Sequence, residues 1–186
     1  MATRNVAVIV GSLRAGSYNR TMAHVLAAVA PDTLKLEIVE IGALVPFNQD
    51  FESGATPTEY TSFRETIKAA DAVLFVTPEY NRSVPGVLKN AIDIGSRPYG
   101  QNVFDGKPSA ILSVGMGATG GFGANHHLRQ SLVFLNVPTM AQPEAYIGGA
   151  PALFDANGDL NSKDTKAFVT LFMKAFAAWI EKFAKD

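Results

Sequence analysis

A chain of 186 residues is long enough for one domain with a substantial core, and a composition 47% hydrophobic and 18% charged is that of an ordinary globular protein. The net charge of −1 lacks the basic surplus that phosphate neutralisation demands of a nucleic-acid binder. With no cysteine there are no disulfides, thiolate metal ligands or cysteine nucleophiles, and no apolar stretch approaches the roughly 20 residues of a membrane helix, so a single cytoplasmic domain spanning 1–186 is expected.

Two periodicities alternate along the chain. Val6–Val10 is a continuous apolar run followed by glycine, as in a strand buried on both faces of a parallel sheet. Met22, Val25, Leu26 and Val29 then form one helical stripe ended by Pro31, and Leu36–Ile41 reads as a second strand. Gly42 to Ala55 is expected to be a long loop. Thr56, Pro57 and Glu59 resemble a capped helix start, with Phe63, Ile67 and Ala70 inward. Ala72–Thr77 is a third strand and Pro85–Ile94 a third helix, with Val87, Leu88 and Ala91 inward. Lys107-Pro108 precedes a fourth strand through Val114, and a glycine-rich loop then leads into a helix carrying Leu128, Leu132 and Leu135. Val137–Met140 reads as the fifth strand. A last helix starts near Ser162, with Phe168, Phe172, Ala175, Trp179 and Phe183 on one face. Five strands alternating with helices predict an α/β doubly wound parallel sheet, whose ligands bind outside the carboxyl ends of the strands.

Three unusual loops follow strands one, three and four. The first, Gly11 to Asn19, leads into a helix N-terminus, where free N–H groups and the helix dipole favour an anion. Ser12, Ser17 and Asn19 add donors and Arg14 a charge, a set suited to a phosphate monoester; a helix capped by Ser17 explains the same residues without a ligand. The second, Thr77 to Gly86, is stiffened by two prolines and presents the N–H groups of Glu79, Tyr80 and Asn81 to a flat heteroaromatic ring, or serves only as a turn. The third, Ser113 to Gly123, is glycine-rich, which permits close backbone approach to a ligand and equally suits a flexible loop.

Other candidates carry less. His126 and His127 are adjacent and so diverge on a helix, which suits surface or interface histidines better than metal ligands. The Asp155–Asp164 segment lacks the glycine position and closing glutamate of a calcium loop, and is expected to be a polar turn at Asn157-Gly158. No metal site is expected. A G-x-S-x-G nucleophile elbow is absent.

Taken together, GSLRAGSYN after strand one and TPEYNRSVPGVLKNAID after strand three resemble the NADPH-dependent FMN reductase family, and within it the bacterial quinone/chromate reductase branch. The similarity extends through SRPYG, GFGANHHLRQSLVFL and PEAYIGG. The resemblance implies a flavodoxin-like fold with non-covalent FMN, NADPH or NADH as co-substrate, and a small-molecule electron acceptor such as a quinone, or chromate and other metal oxyanions. It places Ser12, Leu13, Arg14, Ser17, Tyr18 and Asn19 at the FMN phosphate and ribityl chain. Pro78, Glu79, Tyr80, Asn81 and Arg82 fall along the isoalloxazine ring, and Gly115 and Met116 in a third flavin-contacting loop. Some relatives carry serine at Gly115 and tyrosine at Arg82. No obligatory acid–base residue is implied, because the flavin carries the chemistry. A homodimer or homotetramer is expected, with Tyr99, Phe104, Phe122 and the outward face of Leu128–Leu135 as association surface and Arg82 and Glu144 as a charged pair across it. The alternatives on the same fold are a flavodoxin-type electron carrier, which the weak net charge disfavours, or a non-catalytic flavin-binding protein.

Overall fold

The computed structural model describes residues 2–155 and 157–184. Strands β1 (Arg4–Val10), β2 (Leu34–Val39), β3 (Ala72–Thr77), β4 (Ser109–Val114) and β5 (Ala145–Ile147) form one sheet in the order β2-β1-β3-β4-β5. Every neighbouring pair is parallel. This is the flavodoxin-like order, with its switch point between β1 and β3.

The apolar runs of β1 and β3, and of β4 with its buried Ser109 and Ser113, have a simple cause: both sheet faces are covered. Val6, Val8 and Val10 face α1 (Tyr18–Val29) and α6 (Lys163–Glu181), while Ala7 and Ile9 face α2 (Thr58–Ala69), α3 (Gly86–Gly95) and α4 (Phe122–Phe134). A short α5 (Ala150–Leu153) follows β5. Register aligns the carboxyl ends, with Val10 beside Val76, Thr77 beside Ser113 and Val114 beside Ile147. The loops after β1, β3 and β4 therefore leave the sheet along one edge. No helix among the described residues is long and apolar enough to cross a membrane.

Several expectations are corrected. The fifth strand is Ala145–Ile147, not Val137–Met140. The latter touches only the start of β4, where Ser109 N–H donates to Pro138 O at 2.9 Å and Met140 N–H to Ser109 O at 2.8 Å. Pro138 has no N–H to extend a ladder, and pairing resumes only beyond Pro143. The capping box at α2 does not form: Pro57 precedes the helix without a side-chain cap, and the Thr56 hydroxyl donates to Phe51 O at 2.8 Å. The loop from Gly42 contains one 3-10 turn, Gln49–Glu52, capped by Asn48.

The inward face of α6 is Val169, Phe172, Met173, Phe176 and Ile180, rotated from the expected stripe. Trp179 sits at its margin because its indole N–H donates to Pro138 O at 3.0 Å. Phe104, expected at the surface, is fully buried between Phe63 and Phe75, in space left by the missing side chain of Gly95. The polar turn is present: Asp155 Oδ1 accepts from the Asn157 and Asp159 amides at 2.8 and 2.9 Å, with Gly158 at φ +85°.

Candidate functional site

At the end of β1, Ser12 and Ser17 are buried and Ser17 caps α1, its Oγ accepting from Arg20 N–H at 3.3 Å. Thr21 N–H bonds Ser17 O, so the first-turn amides left without a helical acceptor are those of Tyr18 and Asn19. Asn19 is buried; its Nδ2 donates to Val114 O at 3.2 Å, and its Oδ1 has no partner. The Arg14 guanidinium lies 5.2 Å from the Tyr18 ring centroid, and Tyr18 stacks on Phe154.

The loop after β3 is a tight hairpin. Tyr80 and Ser83 exchange backbone hydrogen bonds at 3.1 and 3.0 Å around Asn81 and Arg82, which lie at φ +50° and +65°. Two positive φ values in a two-residue connection are the mark of a type I′ turn. Glu79 ties this loop to α4: its Oε2 accepts from Ala124 N–H at 3.0 Å, and its Oε1 pairs with Arg82 Nη1 at 3.2 Å. His127 Nδ1 lies 3.0 Å from Ser83 Oγ, a second tie to α4. The expectation that Arg82 meets Glu144 concerns a contact between copies; within the chain its partner is Glu79.

The glycine-rich loop after β4 lies down on β5. Gly115 N–H donates to Ile147 O at 2.9 Å, and Ala150 N–H to Gly115 O at 3.2 Å. A Cβ on Gly120, at φ +58°, would stand 2.6 Å from the carbonyl carbon of Tyr146, and one on Gly148 2.7 Å from Ala118 O. These glycines serve close backbone approach, not flexibility. Beside the loop, Phe122, His126 and Tyr146 form an aromatic cluster, with His126 Nε2 2.9 Å from the Tyr146 hydroxyl. Burial, helped by the Glu144 carboxylate, pushes the Tyr146 phenol up to about 12, so it stays protonated at ordinary pH.

The three loops enclose a cavity of about 530 Å³, a size typical of cofactor sites. Ser12, Arg14, Ser17, Tyr18 and Asn19 line it from the first loop and the start of α1, Pro78, Glu79, Tyr80 and Arg82 from the second loop, and Gly115 and Met116 from the third. Leu13 and Asn81 do not line it. Leu13 turns toward Gly42, half exposed, and Asn81 sits exposed at the hairpin tip. Sequence reasoning missed Gly117, Ala118, Thr119 and Gly121 in the third loop; their signal was the repeated glycine, which by itself reads either way. Among the described residues no cluster of three or more His, Cys, Asp or Glu side chains could hold a metal ion.

Residues 4–152 match the family described as NADPH-dependent FMN reductase. The chain belongs to the NADPH-dependent FMN reductase family. It is 60% identical over 177 residues to a quinone reductase of Pseudomonas putida, with 95% of each chain covered. It is 46% identical over 175 residues to a 2-hydroxy-1,4-benzoquinone reductase of a Burkholderia species, covering 94% of this chain and 95% of that one. The structure of FerB, a flavoenzyme NAD(P)H:(acceptor) oxidoreductase from Paracoccus denitrificans, matches with a TM-score of 0.91 at 40% identity, over 97% of this chain and 99% of that one. As a member of the NADPH-dependent FMN reductase family, the protein is an NAD(P)H-dependent flavin oxidoreductase.

The residues present fit FMN. The two free amides of α1 beside Ser12, Ser17 and Arg14 suit a phosphate monoester. The orphaned Asn19 Oδ1 is an acceptor in want of a donor, which a ribityl hydroxyl is.

Proposed function

We propose that the protein holds FMN in this cavity and passes two electrons from NAD(P)H to a quinone. The observation that carries the reading is the convergence of a helix start with two free amides, a tight hairpin and a close-packed glycine loop on one cavity. The relatives named as quinone reductases support the acceptor class.

When bound, FMN would supply the two-electron hydride chemistry that links NAD(P)H to the acceptor. The chain's own residues position and shield. Ser12, Arg14, Ser17, Tyr18 and Asn19 hold the phosphate and ribityl chain. Pro78, Glu79, Tyr80 and Arg82 border the ring, with Gly115 and Met116 opposite. Glu79 is no free base: both carboxylate oxygens are engaged, by the Ala124 amide and by Arg82. The net reaction takes quinone, NAD(P)H and one proton to hydroquinone and NAD(P)+.

The purified protein is expected to release FMN, not FAD, on denaturation, since the cavity offers one phosphate cradle and no second for an adenylate half. It should also oxidise NADPH at a rate that depends on added quinone. Chromatography of the released flavin and a steady-state assay check both. A colourless protein that FMN cannot reconstitute would overturn the reading.

We further propose a homodimer or homotetramer. Tyr99, Val133 and Phe134 are 89%, 79% and 87% exposed, large apolar side chains of the kind a second copy of the chain would cover. Light scattering across a dilution series should give a multiple of the 19.8 kDa chain mass. A fully active monomer at every concentration defeats the proposal.

A further inference from the structure

The cavity has one more cation than FMN has phosphates. Arg14 and Arg82 both line it, from different loops, the one after β1 and the one after β3. Arg14 stands beside the first turn of α1, where the single phosphate of FMN belongs. Arg82 stands at the ring end. Its side chain is 81% exposed, whereas that of Glu79 is 11% exposed and shares its charge with the Ala124 amide. The pair therefore leaves positive potential on the solvent side of the mouth.

The backbone points the same way. Arg82 occupies the second central position of the type I′ turn, at φ +65°, where glycine is the favoured residue and a Cβ is unfavourable. Glycine would serve the turn better, so what arginine adds is its guanidinium, an exposed group on a residue that lines the cavity.

We propose that Arg82 selects acceptors carrying an ionised oxygen on the quinone ring, that is, acidic hydroxyquinones. A hydroxyl conjugated through the ring to a quinone carbonyl is a vinylogous carboxylic acid and is ionised at neutral pH. Its oxygen and the neighbouring carbonyl present an edge that a guanidinium grips with two parallel hydrogen bonds. The 2′-phosphate of NADPH lies at the adenosine end of the nucleotide, far from the reacting ring that Arg82 borders.

The balance also favours turnover. Hydroxyquinone anion, NAD(P)H and two protons give the neutral trihydroxyarene and NAD(P)+. Hydride and one proton reduce the two carbonyls; the second proton goes to the ionised oxygen, which becomes an ordinary weakly acidic phenol. The charge that Arg82 grips disappears as product forms, so substrate is held and product is released.

The inference rests on the proposed FMN-dependent activity. Its test compares the FMN-loaded enzyme with Arg82→Gly, Arg82→Asn and Arg82→Lys, using 2-hydroxy-1,4-naphthoquinone as the ionised acceptor and 1,4-naphthoquinone as the neutral one. The readout is the ratio of kcat/KM for the two quinones, in which any change in FMN content cancels. The ratio should fall about tenfold or more in Arg82→Gly and Arg82→Asn, both of which tolerate a left-handed φ, and be partly restored in Arg82→Lys. In the unsubstituted enzyme, added salt should lower the same ratio, because an exposed pair is screened. An unchanged ratio with FMN retained overturns the inference and leaves the FMN reading intact. A change confined to NADPH against NADH also overturns it, assigning the charge to the nucleotide. Failure of the unsubstituted protein to bind FMN would instead remove the activity on which the inference rests.

Discussion

Arg14→Ala is expected to weaken FMN binding by about tenfold to over a hundredfold, while riboflavin, which lacks the phosphate, loses far less. A charge-assisted contact of this kind contributes about 1.5–3 kcal/mol, which converts to that range of affinity. The guanidinium is held in place before any ligand arrives, over the Tyr18 ring, which itself stacks on Phe154. The turn around it is closed by backbone, Ser17 N–H to Arg14 O at 3.1 Å, so removing the side chain leaves the loop its shape. Loss of the cation–π contact lowers stability for both ligands alike and does not imitate a phosphate effect. Parallel titrations with FMN and riboflavin decide the matter. Equal losses would mean that Arg14 acts on the ring or through folding.

Gly120→Ala should be the most damaging single methyl group in the site. Its Cβ would meet the Tyr146 carbonyl carbon at 2.6 Å, the Ile147 nitrogen at 2.7 Å and the Ile147 carbonyl carbon at 2.9 Å, all of them backbone of β5. A strand hydrogen-bonded into the sheet cannot retreat, so the loop must lift. Overpacking of this kind costs about 1–3 kcal/mol, and the left-handed φ of +58° adds about 1–2 kcal/mol. Because the displaced loop lines the cavity, FMN affinity should fall together with stability. Gly117→Ala is the control, since its Cβ would meet nothing within 4 Å. Denaturant unfolding and flavin titration of the two variants should separate them widely; a Gly120→Ala protein that matches Gly117→Ala in both would refute the packing argument.

Most of the sheet was legible because a strand covered on both faces has to be a continuous apolar run, and β1, β3 and, its two serines aside, β4 are such runs. The fifth strand was harder. Three residues, Ala145–Ile147, carry little periodic signal, and the more apolar Val137–Met140 competes with them until the missing N–H of Pro138 is counted. The site was legible at the level of loops, since sheet topology alone directs attention to the ends of β1, β3 and β4. It was less legible at the level of side chains. Leu13 and Asn81 lie within the right segments yet turn away from the cavity, because a neighbour in sequence need not share a direction. Glycine in the third loop signals equally a hinge or a close approach, and only the backbone of β5 beneath Gly120 and Gly148 decides between them. The partner of Glu79 lay beyond reach for a different reason. It is a backbone amide on another helix, and no side-chain pattern announces it.

That Glu79–Ala124 hydrogen bond governs which way round a ligand can lie. Two helices, α1 and α4, begin at the cavity wall, and each start is a region of partial positive charge able to receive an anion. Left alone, they would offer a phosphate two docking points and an elongated ligand two opposite poses. The Glu79 carboxylate already occupies the second start, placing a negative charge there that repels another. On the proposed reading a phosphate would take the other start, at Tyr18 and Asn19, and a molecule anchored there would extend its other end toward the hairpin. A single internal carboxylate thus closes one of the two helix starts to an incoming phosphate.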